Sequence, residues 1–481
     1  MKVLFVTPEA HPLIKTGGLA DVAGALPTAL AEAGLDVRVM MPAYPEALDG
    51  IEGRTSGADL GDPLGFGRTK LVGGYMPDSG VPVWLIDCPP LYNRDGGPYL
   101  DTHGNDWPDN HRRFALLSWV AAYVGKVGDE RAWIPAVVHA HDWQCGLAPV
   151  YLNQWRGPGP ATVFTIHNMQ YQGIFPKEIL PEVGIDPALF TIDGVEFYGQ
   201  VSFLKAALKF ADSITTVSPT YAREIRTEAG GWGLNGLLES RKADLSGILN
   251  GADYHIWAPD SDPKLAKPYS RKTVEAGKAT CKHDLQERLG LAEDPNAPLF
   301  GVVSRMSGQK GLDLLLANMG PLLQAGAQLA ILGSGDPAVE DAFRQLAVDH
   351  PKTVAVHVGY SESMSHRIQA GADAFLVPSR FEPCGLTQLY AMRYGTLPVA
   401  RRTGGLADTI VDAESGLGTG FLFDAPTADG LWSALARCLD AYRQPDQWQI
   451  LRDRAMAQQF DWIRAAEAYK TLYQETISNN Q

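Results

Sequence analysis

The sequence predicts an α/β protein of two doubly wound parallel-sheet lobes, and three observations carry that reading. Short apolar runs rich in Val, Ile and Phe recur along the 481 residues, separated by longer stretches of helical character. Near-continuous apolar strands alternating with helices indicate parallel sheets covered on both faces. The runs fall into two sets of about six, enough for two such sheets. Finally, Thr-Gly-Gly-Leu-Ala-Asp at residues 16–21 returns at 403–408, each copy preceded by a basic residue, Lys15 or Arg402. Two near-copies, one towards each end, predict two similar lobes facing one substrate.

The first set of strands is expected at residues 3–6, 37–41, 83–86, 137–139, 163–166 and 214–217. The second is expected at 248–249, 299–303, 329–332, 354–358, 375–377 and 397–400. Residues 57–74 are Gly-rich with weak periodicity and read as a mobile loop. Residues 252–270, with Pro259, Pro263, Pro268 and several charges, read as a linker. A last helical stretch spans 462–477. The expected division is 1–247 for the first lobe, 248–458 for the second, and 459–481 for a C-terminal helix.

Composition narrows the function. Apolar residues make up 45% and charged residues 20%, with a formal charge of -14. That charge argues against general nucleic-acid binding and against an anionic membrane surface. It leaves room for an anionic small substrate held by local cations. Five dispersed cysteines without a CxxC indicate neither a disulfide framework nor a structural zinc site, which fits a reducing cytoplasm. The N-terminal apolar run is too short for a signal-peptide core, and no stretch reaches membrane-span length.

Polar and glycine residues gather after the strands, at the edge where doubly wound sheets bind ligands. In the first set these are Glu9 and the Lys15–Thr16–Gly17–Gly18 loop, then His139, His141 and Asp142, then His167 and Asn168. In the second they are Asn250, then Arg305 and Lys310, then Gly335, Tyr360 and Glu382. Arg305 and Lys310 place two cations on a glycine-containing loop, a suitable pair for a diphosphate. No GxxxxGK[ST] spacing occurs, which disfavours a P-loop ATPase. Gly333-Ser334-Gly335 is half of a dinucleotide fingerprint and weak by itself. His139 is expected in its strand, pointing away from His141, so the H-x-H-D cluster is not read as a metal site. Glu382 stands before a helix opening at Gly385-Leu386-Thr387, better explained by ligand contact than as a surface acid. Asp260-Ser261-Asp262 has a metal-binding DxD spacing but lies in the presumed linker and reads as solvated.

At these segments the chain resembles the bacterial glycogen synthases and plant starch synthases. The likeness runs from Lys15-Thr16-Gly17-Gly18-Leu19 through His139-Ala140-His141-Asp142-Trp143 to Ser379-Arg380-Phe381-Glu382-Pro383-Cys384-Gly385 and spans nearly the whole chain. The resemblance implies a GT-B architecture, two Rossmann-like lobes facing an interdomain cleft, with the final helix returning to the first lobe. It implies a hexosyltransferase moving glucose from ADP-glucose to the non-reducing end of an α-1,4-glucan, glycogen or a malto-oligosaccharide, with retained anomeric configuration. No cofactor and no metal are implied.

Carried over residue by residue, His167, Arg305, Lys310 and Glu382 form the catalytic set. Arg305 and Lys310 would hold the departing diphosphate, Glu382 would meet the glucose hydroxyls, and His167 the sugar. Lys15 and Gly18 would touch donor phosphate and sugar, and Asp142 would lie near the acceptor. Tyr360 and Thr387 would frame the nucleotide. Glu9, Gly17, Asp21, Asn168, Asn250, Gly335, Cys384, Gly385 and Leu386 complete the substrate-binding set, with Cys384 a source of thiol sensitivity. One departure from the wider superfamily is Tyr390, where many retaining relatives carry a second Glu; no residue here reads adenine over uracil. Three alternatives remain at this point. They are another GT-B enzyme (a sugar-nucleotide epimerase or sucrose-type transferase), a pyridoxal-dependent phosphorylase, and a silent glucan-binding scaffold.

Overall fold

The computed structural model describes residues 1–129, 133–155 and 157–480. The chain divides into two compact units, Met1–Gly251 with Trp462–Gln481, and Ala252–Asp461. The strands of the first unit are β1 (Lys2–Val6), β2 (Asp36–Pro42), β3 (Glu52–Gly61), β4 (Thr69–Tyr75), β5 (Pro82–Asp87), β6 (Val137–His141) and β7 (Ala161–Ile166). They continue with the short β8 (Ile174–Phe175), β9 (Glu196–Phe197) and β10 (Gln200–Ser202), then β11 (Ser213–Thr216) and β12 (Leu245–Gly247). Nine of them form one sheet in the order β12-β11-β7-β6-β1-β2-β5-β4-β3, while β8, β10 and β9 form a small separate sheet.

From β12 across to β5 every pairing in the large sheet is parallel. The central strands β6 and β7 are buried along their whole length, so their sequences lack the apolar–charged alternation of a half-exposed strand. The Gly-rich stretch expected to be a loop instead supplies β3 and β4, which pair antiparallel with each other and onto β5. Most of β3 is exposed. An edge strand with a solvated face has no apolar alternation to reveal it, and its register shifts further blur the pattern. The strand expected at 248–249 forms at Leu245–Gly247 instead and pairs with β11 in the first unit.

The helix Trp462–Asn479 closes the first unit. It buries Trp462, Ala465, Ala466, Tyr469, Tyr473 and Thr476, a helical spacing that makes one continuous stripe. Most of that stripe joins the core built on β1, β6 and β7. Polar ties fix it there: Tyr473 Oη lies 2.8 Å from His139 Nδ1, and the Thr476 and Ser213 hydroxyls meet at 2.8 Å.

The second unit contains β13 (Leu299–Val303), β14 (Gln328–Gly333), β15 (Val354–Val358), β16 (Ala374–Val377), β17 (Leu397–Arg401) and β18 (Phe421–Phe423). Their order is β15-β14-β13-β16-β17-β18, parallel throughout. Renumbered within the unit this is 3-2-1-4-5-6, the dinucleotide-fold order, with its switch point between β13 and β16. The parallel part of the first unit repeats that order and reverses between β1 and β6. The two lobes are thus alike, yet the repeated Thr-Gly-Gly-Leu-Ala-Asp is not a matched feature of them. Its first copy follows the first strand of one lobe, and its second follows the fifth strand of the other.

Residues 252–270 are not a solvated linker. Trp257 is sandwiched between His366 and Tyr390, with ring centroids 3.8 and 4.0 Å away. Asp262, read as a solvated DxD acid, is 2% exposed. Its Oδ2 accepts from Tyr394 Oη at 2.6 Å and lies 2.6 Å from His366 Nδ1. Proline and charge dominated the local composition, whereas the aromatic side chains between them decide the packing. The same stack accounts for Tyr390: its ring lies against Trp257, so that position serves the core.

Candidate functional site

In the first unit the expected residues assemble where β1, β6 and β7 end. Glu9 follows β1, is 2% exposed, and its Oε2 accepts from the Thr16 amide at 2.6 Å. Burial raises its pKa to about 7. The carboxyl thereby ties the Lys15–Gly18 loop to the end of β1. Lys15 pairs with Asp21 at 2.6 Å, both partly exposed. Gly17 is the extended residue before the helix Gly18–Glu32, which begins without a side-chain cap. Uncapped first-turn amides are suited to a ligand oxygen.

Asp142 directly follows β6 in a conformation unusual for a non-glycine residue, φ 57° and ψ 176°. Such backbone costs on the order of 1–3 kcal/mol and persists where the surroundings enforce it. Here the enforcing bonds are visible. The Asp142 amide donates to Thr165 O at 2.9 Å, and its Oδ1 accepts from the His167 amide at 2.7 Å. Burial, opposed by those backbone bonds and reinforced by Glu9, raises its pKa to about 7.

His167 follows β7 and is half-buried, with its pKa pushed down to about 3 by burial, so the ring is neutral. Its Nε2 lies 2.9 Å from His141 Nδ1. The expectation that His139 points away from His141 is overturned. Their ring centroids are 4.0 Å apart, because residues two apart on a strand share a face. Asn168 turns the chain through Oδ1, which accepts from the Gln170 amide at 3.0 Å. Asn250 follows the edge strand β12, apart in sheet order from β1, β6 and β7, and its buried Oδ1 has no partner among the described residues.

In the second unit the switch point holds the expected cation loop and acid. Lys310 Nζ pairs with Glu382 Oε2 at 2.6 Å, and Ser379 Oγ donates to the same oxygen at 2.9 Å. The pair links the loop after β13 to the loop after β16. Gly311 makes that approach possible: its φ is +65° and a Cβ there would strike the Pro378 carbonyl. Arg380 adds ion pairs to Asp313 and a bond to Gly308 O. Arg305 is exposed at the start of the cation loop.

Gly335 and Tyr360 follow β14 and β15 at the same sheet edge, Tyr360 being 68% exposed. Cys384 is buried, which restricts the expected thiol sensitivity to reagents that reach a covered sulfur. Gly385 and Leu386 lead into the helix Thr387–Arg393. The second repeat copy has a role here. The Gly405 amide donates to Glu382 O and Pro383 O, at 3.2 and 3.1 Å, and a Cβ on Gly404 would collide with Glu382 O. That loop braces the backbone of Glu382.

Sequence reasoning missed Tyr99, whose hydroxyl bonds the Glu9 carboxyl, and Ser379. Tyr99 comes from a Gly-Pro loop far along the chain and left no local signal. The same reasoning named His141 but missed its place beside His139, which strict two-residue alternation along β6 would have given.

Two nucleotide-fold lobes with cations and buried acids at the C-terminal edges of their sheets define a protein of the GT-B class. Residues 2–240 match the starch synthase catalytic domain family, and residues 285–450 the glycosyl transferases group 1 family. The glycogen synthase of Rhodospirillum rubrum is 51% identical over 481 residues, covering 100% of this chain and 99% of that one. That of Paramagnetospirillum magneticum is also 51% identical, covering 100% and 98%. Among solved structures, the catalytic domain of starch synthase IV from Arabidopsis thaliana, bound to ADP and acarbose, aligns with a TM-score of 0.89 at 31% identity, covering 99% of both chains. Sucrose-phosphate synthase from Thermosynechococcus elongatus shares the fold, with a TM-score of 0.59 at 19% identity over 99% of both chains. The chain belongs to the glycogen synthase family.

Proposed function

We propose that the chain transfers glucose from ADP-glucose to the non-reducing end of an α-1,4-glucan, retaining the anomeric configuration and releasing ADP. The Lys310–Glu382 pair at the switch point of the second unit carries this reading, because it sets a cation and an acid where a nucleotide-fold lobe receives its ligand. Breaking the glucose–phosphate bond builds positive charge on the sugar and negative charge on the diphosphate. Lys310 and Arg305 are assigned to the diphosphate, where fixed cations stabilise the growing charge. Glu382 is assigned to the glucose hydroxyls and is held for that task by Ser379 and the Gly404–Gly405 loop.

In the first unit, Lys15 and the amides at Gly17 and Gly18 are assigned to the donor, His167 to its sugar, and Asp142 to the acceptor. A neutral His167 offers a hydrogen bond and no charge. Tyr360 and Thr387 are assigned to the nucleotide. The reaction needs no cofactor and no metal in this reading, since the cations do the electrostatic work. Five buried cysteines that form no disulfide among the described residues support a reducing cytoplasm as its setting.

The test is incubation with ADP-glucose or UDP-glucose and a glucan primer, scoring nucleotide release and polymer gain. Nucleotide release coupled to longer α-1,4 chains, greater with ADP-glucose, is expected. Release of nucleotide without glucan growth, or formation of a sucrose-type product, would overturn the assignment.

A further inference from the structure

Two buried histidines of the first unit, His139 and His141, and the half-buried His167 form an arrangement that the proposed reaction does not use. His141 is fully buried on β6, its ring stacked on Phe5 with centroids 4.0 Å apart and an interplanar angle of 29°. On its other side is His139, which is spoken for: Nδ1 meets Tyr473 Oη at 2.8 Å and Nε2 meets Thr165 Oγ1 at 2.6 Å. His141 has one hydrogen bond, Nδ1 to His167 Nε2 at 2.9 Å, and its buried Nε2 has no partner among the described residues. Burial holds the pKa values of both rings below the ordinary imidazole value, so each carries one proton.

One proton must lie between the two rings, and it has two possible owners. If His167 Nε2–H donates, then His141 must carry its own proton on Nε2, an N–H buried against Phe5 with no acceptor. If His141 Nδ1–H donates, the orphan is a bare lone pair. Buried donors without acceptors are rarer in folded proteins than under-used acceptors. We infer that His141 is a positioning residue which, by donating from Nδ1 to Nε2 of His167, fixes His167 as the tautomer protonated on Nδ1. That nitrogen makes no hydrogen bond to the described residues. His167 therefore presents an N–H donor to its ligand and reads an oxygen lone pair, such as that of a sugar hydroxyl.

Asp142 completes the geometry by holding the His167 backbone amide at 2.7 Å, so main chain and ring are fixed by separate partners. The tautomer assignment is independent of the substrate, whereas its consequence for turnover rests on the proposed contact of His167 with the donor sugar.

The experiment uses the full chain labelled with 15N-histidine and records ring 15N shifts without substrate, assigning His167 by its loss in His167→Asn. A pyrrole-type Nδ1 and pyridine-type Nε2 on His167 are expected, and the reverse pattern overturns the proposal without any variant. His141→Phe keeps a stacked ring but removes the donor, and should release His167 to mixed tautomers. It should lower kcat/KM for ADP-glucose about 3- to 10-fold, the worth of one neutral hydrogen bond. His141→Asn places an amide N–H near the lost Nδ1 and should restore both the shift pattern and most of the rate. An unchanged His167 spectrum in a folded His141→Phe protein would also overturn it. If instead His167→Ala leaves kcat/KM intact while the shifts are as expected, it is the sugar contact of His167 that fails and the tautomer assignment that stands.

Discussion

Lys310 and Glu382 neutralise one another in a largely buried setting, with side-chain exposures of 18% and 9%. Removing the lysine therefore has two separable effects. Lys310→Ala should lower kcat about 10²–10³-fold through loss of charge stabilisation at the diphosphate. It should also cost about 1–3 kcal/mol of stability by leaving Glu382 unpaired. Adding Glu382→Gln should recover the stability, read by urea unfolding, without recovering turnover; recovery of both would remove the phosphate role. Lys310→Arg should recover only part of the rate, because the fork does not reproduce a compact ammonium. Gly17 separates ligand contact from folding more cleanly. Its backbone is extended and a Cβ there meets nothing within 4 Å, so Gly17→Ala should leave the melting temperature unchanged while reducing activity. Unimpaired activity would mean that no ligand comes close to that loop.

Asp142 and His167 give opposite pH dependences. An unfolded Asp releases its proton near 3.8, while the folded Asp142 holds one to about 7. Between those values the native state binds more protons, so stability is lost as pH rises through the window. His167 is depressed from 6.5 to about 3, so the unfolded state binds more protons there and stability is lost as pH falls below 6.5. Asp142→Asn removes the first contribution alone. Its stability relative to wild type should improve by up to roughly 4 kcal/mol between pH 4 and pH 8. Parallel unfolding curves for the two proteins across that range would show that Asp142 titrates normally.

Among the elements, the helix Trp462–Asn479 makes the clearest energetic claim. Burying Trp462, Tyr469 and Tyr473 contributes roughly 5–9 kcal/mol by side-chain transfer, comparable to the net stability of a domain. A chain ending at Asp461 should therefore show hydrogen-exchange protection within 252–461 and little within 1–251. Protection in both would mean that the helix is dispensable. The milder Tyr473→Phe leaves His139 Nδ1 unpaired and should cost about 1 kcal/mol. The central strands, this helix and the glycine turns were all legible in the sequence, because burial on both faces, a helical stripe and a strand-to-helix break each write a local pattern. The strands β3, β4 and β18 were not: β3 is an exposed edge, β4 is its antiparallel partner interrupted by Gly73 and Gly74, and β18 is a three-residue stub. Trp257 and Asp262 were obscured for another reason: their partners Tyr390, His366 and Tyr394 lie more than a hundred residues away. Of the site, the polar residues at strand ends stood out, whereas Tyr99, Ser379 and the brace at Gly405 depend on contacts that only the folded chain creates.

At the level of the whole molecule, a formal charge of -14 coexists with a substrate that the proposed reaction makes anionic. In the proposed reaction, local cations on glycine-bearing loops resolve this and take the electrostatic role that a divalent ion would otherwise have. Among the described residues no group of three His, Cys, Asp or Glu side chains is placed to hold a metal ion. Transfer should accordingly proceed at an unchanged rate in excess EDTA, and loss of activity restored by a single divalent ion would contradict the cation-loop mechanism. The path of the chain through its two units has a consequence in time. The first unit begins at Met1 but takes its closing helix from Trp462 onward. During synthesis its sheet must wait, with the apolar floor for Tyr469 and Tyr473 uncovered, while residues 252–461 emerge. At ordinary elongation rates that interval is roughly 10–40 s. The N-terminal sheet thus stays incomplete for as long as the second unit takes to be made, and its uncovered apolar floor is the part of the nascent chain that depends on chaperone cover until the closing helix docks.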